Sequence, residues 1–304
     1  MNYMPASIHK PRVSIGMPLY NREKYVGAAI ESHLCQTYPD FELIITDNAS
    51  TDGSEEICRA YAAKDSRVKF FKNAENLGAT GNYRRCWELS TGEFFRWTPS
   101  DDMVSPNLLE RAVAVLDQDS SIFVAYPRTK LINAQGEIIG DFEERLHLME
   151  DRASERWKGV HRNIRLGNLH YGLNRADKFR KTGLMRNYNG GDFPLIAEMS
   201  LYGKFYEIAD AFFYRRMHEE ASSALKDGAD VMAFYDPKKR EEFFLYYWTH
   251  FGADLKSVFR APISLSEKLR IYAFQARCLV WGRRQYLNEV KDAVAHVARK
   301  VTRP

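Results

Sequence analysis

The sequence predicts an α/β protein: a mostly parallel, doubly wound, Rossmann-like sheet flanked by helices, with a helical C-terminal extension. Three observations predict it. Short apolar runs of strand length alternate with stretches of helical periodicity through the first 126 residues. The connections are short, and right-handed crossovers put every loop that follows a strand on one edge of the sheet. From Asp230 onward the pattern is helical, with breaks near Pro262 and Gly282.

Each element has its own signal. Val13 to Met17 is an apolar strand that Pro18 ends, and Asn21 can cap a helix from Arg22 to Gln36 that puts Tyr25, Ala28, Ala29, Ser32 and Cys35 on one face. Phe41 to Thr46 is a second strand, and Asp52 starts a helix through Lys64. Val68 to Phe71 is a third strand, before a helix from Thr80 to Ser90. Gly92 to Thr98 is the fourth, stopped by Pro99, which lacks an amide donor. A helix from Pro106 to Asp117 and a strand from Ile122 to Tyr126 follow. After Pro127 the pattern changes. Lys130 to Ile139 reads as a hairpin, and Trp157, Val160 and Ile164 lie on an amphipathic helix. Leu169 to Asn174 is extended, a helix runs to Thr182 with Gly183 as its C-terminal cap, and Phe193 to Tyr202 is an apolar helix before an extended run, Phe205 to Tyr214. Three units are expected: residues 1–126, 127–226 and 227–304.

Composition narrows the class. At 45% hydrophobic and 28% charged, the 304 residues are ordinary for a globular protein. A net charge of +4 is too small to argue for nucleic acid as partner. No apolar run nears the roughly 20 residues that cross a bilayer, and Met1 to Pro11 has no signal-peptide core. A cytoplasmic protein is expected, peripheral at the inner face of the membrane if its C-terminal helices bind lipid. Cys35, Cys58, Cys86 and Cys278 lack metal-ligand spacing, and the first three read as buried free thiols on helices.

The chemistry sits in the loops after the strands. They carry Pro18-Leu19-Tyr20-Asn21, Asp47 to Ser54, Asn73 to Gly78 and Ser100-Asp101-Asp102. All four should border one cleft, because open α/β sheets bind ligands at the carboxyl edge. Tyr20 offers a stacking face, Asp47 an acceptor for a base N–H, and Gly78 a close backbone approach. Two adjacent carboxylates are costly unless compensated, most simply by a hard divalent metal that also carries a substrate phosphate. The plainer reading is a polar turn in which Asp102 or Ser105 caps the next helix, just as Asp47 and Asn48 could be turn formers and Asp52 a cap.

Val13 to Asn21, Gln36-Thr37-Tyr38-Pro39, Phe41 to Gly53, Asn76-Leu77-Gly78 and Thr91-Gly92-Glu93 together resemble the family 2 glycosyltransferases of GT-A fold. The resemblance is continuous from Val13 to Tyr126 and weaker as far as Ser223. It implies an inverting transferase that uses a nucleotide-diphosphate sugar, with UDP, GDP or dTDP open, and Mg²⁺ or Mn²⁺. Pro18, Tyr20 and Asn21 match the loop bordering the nucleotide, Asp47 the carboxylate that bonds the base, and Asn76 and Gly78 the loop along the nucleoside. Asp101 matches the metal ligand, flanked by Ser100 and Asp102. Pro99 departs from the family, standing where many members carry an acid. Asp192, after two glycines, matches the general base of inverting members and could otherwise be a helix cap. Glu198 is the alternative base, or else faces solvent or pairs with a basic residue. Arg216 and His218 match a pair that closes on the diphosphate, His218 as a second metal ligand, against a plain basic loop. The acceptor implied is a saccharide or lipid-linked saccharide, for polysaccharide or cell-envelope glycoconjugate synthesis.

Residues 281–304 hold six Lys/Arg and two Asp/Glu, with Val290, Val294, Val297 and Val301 on one face. That stripe is expected to pack on the domain or a second subunit, or to meet an anionic membrane. A nucleotide-sugar-binding protein without transferase activity is the alternative function. A sugar-nucleotide synthesising enzyme would need a glycine-rich triphosphate loop after the first strand, which Pro18 to Arg22 is not.

Overall fold

The computed structural model describes residues 10–221, 228–239 and 244–301. The chain before Lys10 and Ser223 lie outside it. Among the described residues nine strands form one sheet: β1 (Val13–Leu19), β2 (Phe41–Asp47), β3 (Val68–Lys72), β4 (Phe94–Trp97), β5 (Met103–Val104), β6 (Ile122–Ile132), β7 (Ile138–Phe142), β8 (Leu173–Arg175) and β9 (Lys204–Arg216). The order is β3-β2-β1-β4-β8-β6-β9-β5, with β7 on β6. β3, β2, β1 and β4 are parallel, as is the long β6–β9 pair, whereas β8 runs antiparallel to both β4 and β6. The helices are α1 (Val26–Leu34), α2 (Ser54–Lys64), α3 (Gly78–Leu89), α4 (Leu108–Gln118), α5 (Ala153–Asn163), α6 (Ala176–Phe179), α7 (Asp192–Tyr202), α8 (Gly228–Tyr235), α9 (Tyr246–Arg260), α10 (Leu265–Trp281) and α11 (Arg283–Val301).

Alternation along β4 divides the core. Phe94 faces the layer of α1, α2 and α4, with Ile15, Met17, Ala29 and Leu109. Phe95 and Trp97 face the layer of α3, α5 and α7, with Trp87, Trp157, Leu195 and Met199. Both layers draw on strands before and after residue 126, and the expected boundary there falls inside β6.

Several expectations are corrected. β1 continues through Pro18 to Leu19. This is tolerated because pairing with β4 stops at Gly16, so the missing donor faces no ladder. Pro127 likewise does not end β6, because the register shifts between Pro127 and Arg128. Asn21 does not cap a helix: α1 begins at Val26, and Asn21 has φ 49°, with its side chain turned to the next loop. Residues Asn168–Tyr171 form a 3₁₀ turn rather than a strand, and α6 ends at Phe179. Gly183 instead donates its amide to Glu198 at 2.9 Å. Cys58 and Cys86 are buried free thiols, but Cys35 is exposed.

The C-terminal helices leave part of the valine stripe uncovered by the domain. In α11, Glu289 faces inward, accepting from the amides of Tyr247 and Trp248 at 3.0 and 3.1 Å. Val290 and Val294 stay 43% and 64% exposed, so that part of the valine stripe does not pack on the domain. The side chains of Val297 and Val301 lie outside the described residues. Among the described residues, no helix is long and apolar enough to cross a membrane.

Candidate functional site

The first three loops are tied together by amide side chains. Asn21 donates its backbone N–H to Ser50 Oγ at 2.9 Å and accepts from the Thr51 amide at 2.8 Å. Asn48 lies at the centre of the next layer. Its Nδ2 donates to Asn76 Oδ1 at 2.8 Å, and its Oδ1 accepts from the Leu77 amide and Asn73 Nδ2 at 2.9 and 3.0 Å. Asn82 Nδ2 joins the ends of β1 and β2 through the Leu19 and Thr46 carbonyls. Buried amides bonded to one another in this way hold the loops together, although Asn73 Oδ1 has no partner among the described residues. Asp47, fully buried at the end of β2, accepts from the Ser50 amide at 3.1 Å, while its Oδ2 has no hydrogen-bond partner among the described residues. Tyr20 remains 43% exposed at the rim.

Gly78 has a use different from the one expected. Its φ is +72°, and a Cβ there would collide with the Tyr235 carbonyl at the end of α8. The close approach is made by this chain's own helix. Gly78→Ala should therefore lower stability by about 1–3 kcal/mol, from the left-handed backbone and the collision together. Thermal denaturation checks this, and an unchanged midpoint would mean that α8 does not press on this loop in solution.

The acidic turn is built by a contact far along the chain. β5 pairs antiparallel with β9, matching Met103 with Tyr214 and Val104 with Phe213. This carries Asp101 to His218, whose Nε2 lies 3.1 Å from Asp101 Oδ2. Arg22 Nε is also 3.1 Å from that oxygen. Burial opposes ionisation of Asp101, but the His218 bond and the Arg22 charge outweigh it and hold the carboxyl below its ordinary range. Asp102 is the reverse case. Burial first, then the charge of Asp101, pushes it well above the carboxylate range, and its Oδ1 accepts from the Arg216 amide at 2.6 Å. Neither Asp102 nor Ser105 caps α4: Ser105 Oγ accepts from the Phe212 amide at 2.9 Å. Ser100 is buried in the turn.

Arg216 is not brought into the cleft. Its Nε donates to the Asp101 carbonyl at 2.8 Å and its Nη1 to the carbonyls of Asn133 and Ala134 at 3.2 and 2.9 Å, with the guanidinium 5.0 Å from the Tyr25 ring centroid. Strand alternation turns the neighbouring Arg215 the other way, where its Nη1 meets Asn168 Oδ1 at 2.5 Å.

Arg215 marks a second acidic pocket. Asp192 opens α7 beside Gly167, whose Cβ position would lie 3.0 Å from Asp192 Oδ2. Burial raises the Asp192 carboxyl to about 6, against the opposing pull of the α7 amides and Arg215. Glu144, on the segment after β7, is raised by burial to about 7, and neither of its oxygens has a hydrogen-bond partner among the described residues. Arg215 acts on Asp102, Glu144 and Asp192 alike, so the acidic turn and the Asp192 pocket share one cation. Glu198 lies apart from this chemistry, buried and paired with Arg260 at 2.5 Å and Arg186 at 3.6 Å.

Sequence reading missed Arg22, Arg215, Glu144 and the Asn48–Asn73–Asn82 network. Arg22 and Arg215 stood next to residues singled out, and strand alternation at Tyr214 to Arg216 could have separated the two arginines. Nothing in the polar stretch from Asp141 to Arg156 distinguishes Glu144.

A parallel Rossmann-like half, an antiparallel turn-over through β8 and an acid turn at the end of β4 define a protein of GT-A architecture. The chain belongs to glycosyl transferase family 2, whose model matches residues 14–183. It is 38% identical to the putative glycosyltransferase EpsE of Bacillus subtilis over 109 residues, which are 36% of this chain and 39% of that one. The chain thus spans less than half the length of the curated relatives it matches above 30% identity. In fold it is similar to Staphylococcus aureus TarS 1–349, solved with UDP-GlcNAc, with a TM-score of 0.66, 17% identity, and 92% of this chain and 80% of that one covered. It is also similar to the mannosyltransferase PcManGT of Pyrobaculum calidifontis, solved with GDP-Man and Mn²⁺, with a TM-score of 0.50, 16% identity and 93% and 86% coverage.

Proposed function

We propose that the protein is an inverting glycosyltransferase that moves a sugar from a nucleotide-diphosphate donor to a hydroxyl of a saccharide or lipid-linked saccharide, in polysaccharide or cell-envelope glycoconjugate synthesis. One observation carries this reading. Asp101 is held ionised by His218 and Arg22, and its neighbour Asp102 shares the cation Arg215 with Asp192, which burial raises to about 6. Two acids pushed apart by their surroundings can take two roles.

The donor half is residues 1–126 and the acceptor half 127–226, with 227–304 as a helical C-terminal extension. The base lies against Tyr20 and the free Oδ2 of Asp47, on a floor set by Pro18, Asn21 and Asn76. Asp101 Oδ2 and His218 Nε2 converge closely enough to serve one Mn²⁺ or Mg²⁺. Among the described residues no three His, Cys, Asp or Glu side chains could hold a metal, so the remaining ligands would be phosphate oxygens and water. Such an ion, when bound, supplies charge that stabilises the departing diphosphate. Arg22, beside Asp101, adds to that charge, whereas Arg216 fixes the turn by its carbonyl bonds. Asp192 takes the proton of the acceptor hydroxyl as the oxygen–anomeric carbon bond forms and the carbon–phosphate oxygen bond breaks, with the electron pair leaving on the diphosphate. Attack opposite the leaving group inverts the anomeric centre.

Thermal denaturation with UDP, GDP and dTDP, each with Mn²⁺, tests the donor site. One of them should raise stability by about 2.7 kcal/mol at a hundredfold excess over its dissociation constant, and EDTA should remove most of the gain. If none shifts the midpoint, the donor reading fails. If one does, but purified protein neither hydrolyses nor transfers the sugar, the nucleotide-sugar-binding alternative stands.

A further inference from the structure

Beside Asp192 lies a cluster of rings that the donor chemistry does not use. Tyr188 and Phe244 stack with centroids 5.1 Å apart and planes at 29°, and Tyr246 and His250 at 4.2 Å and 30°. Phe244 joins the two pairs edge-on through Tyr246 at 6.2 Å. These four residues and Tyr235 are all partly buried, neither sealed in the core nor fully exposed. Tyr188 Oη, by contrast, is buried with no hydrogen-bond partner among the described residues. The cluster is tied to the catalytic loop. The Gly190 amide donates to Tyr235 Oη at 3.5 Å, and a Cβ on Gly190 would lie 3.0 Å from His250 and 3.2 Å from Tyr246 Oη. The charge of Asp192, two residues on, adds to burial in raising the phenols of both Tyr235 and Tyr246. These residues lie beyond the span that the family model matches.

We propose that Tyr188, Tyr235, Phe244 and Tyr246 form a platform that binds the pyranose ring of the acceptor sugar and turns one of its hydroxyls toward Asp192. As an acceptor site it rests on Asp192 being the base. A pyranose has an apolar C–H face and a rim of hydroxyls. Half-open rings with polar tips match both, because they bury the C–H face while phenol hydroxyls and the catalytic carboxylate meet the rim. An acyl chain would need a continuous apolar groove, and here phenol oxygens, an imidazole and an acid interrupt it. The nucleobase has its own acceptor in the free Oδ2 of Asp47.

Saturation-transfer NMR with the methyl β-glycosides of glucose, galactose and N-acetylglucosamine tests the platform. At least one should receive saturation mainly on the protons of one ring face. The signal should fall about threefold to tenfold in Tyr246→Ala and Phe244→Ala, and persist in Tyr246→Phe, which keeps the ring. Nucleotide-induced thermal shifts are read on the same samples. A wild-type protein that binds nucleotide but transfers saturation to none of the three glycosides, or an equal signal in Tyr246→Ala, overturns the platform and leaves the transferase reading standing. Saccharide binding at the rings without any nucleotide binding supports the platform and overturns the donor reading.

Discussion

Asp192→Asn is expected to abolish sugar transfer, retain nucleotide binding and melt at a higher temperature than the wild type. Loss of a positioned base costs about 10²–10⁴ in rate. The stability gain follows from linkage. Burial raises the folded carboxyl to about 6, above its unfolded value of about 3.9. Between those values the native state holds a proton that the unfolded chain has released. Stability therefore falls as pH rises through this window, and the penalty is complete above about pH 6. Asparagine carries no charge and removes it. The rise to about 6 corresponds to about 3 kcal/mol at most, and partial exposure of the side chain reduces this to about 1–2 kcal/mol. Turnover of the wild type should decline below about pH 6, roughly tenfold per unit, as the base takes up its proton. Paired melts and rate–pH profiles measure both effects. An asparagine variant that transfers sugar at the wild-type rate removes Asp192 from the mechanism.

Asp101→Ala should eliminate the Mn²⁺-dependent part of nucleotide binding and lower transfer by about 10³, in line with the several kcal/mol that a metal contributes to a developing anion. His218 and Arg22 would then face each other without the carboxylate that both now contact. The metal-independent part of the binding, through Asp47 and Tyr20, should persist, so titration with nucleotide in EDTA should give the same curve for variant and wild type. Full activity of Asp101→Ala in the presence of metal would sink the metal assignment. A variant equal to wild type in EDTA but weaker in Mn²⁺ is the expected pattern.

The donor half was legible because its signals are local. Each parallel strand is a short apolar run bounded by proline, glycine or polar residues, and a parallel sheet buried on both faces needs such runs. Pro18 and Pro127 misled the reading for one reason: proline's missing amide matters only where a neighbouring strand needs it. The polar loops after β1 to β4 fall on one edge by strand order alone, since crossover handedness leaves no other edge for them. β5, only two residues long, has no sequence signature, yet it pairs with β9 and sets the distance from Asp101 to His218.

By itself, then, the sequence determined the alternating strand–helix order, the edge where the polar loops gather, and the carboxylates and histidine available there. Periodicity and turn chemistry act over a few residues and can be read from one chain. Only the tertiary structure decided which of these groups meet. It joined Asp101 to His218, turned Arg216 onto backbone carbonyls and Arg215 toward the acids, and filled the space beside Gly78 with α8 rather than leaving it to a ligand. It also lowered the Asp101 carboxyl and raised that of Asp192 to about 6. Those outcomes depend on desolvation and on contacts between residues about a hundred positions apart, and neither quantity is encoded locally in the order of residues.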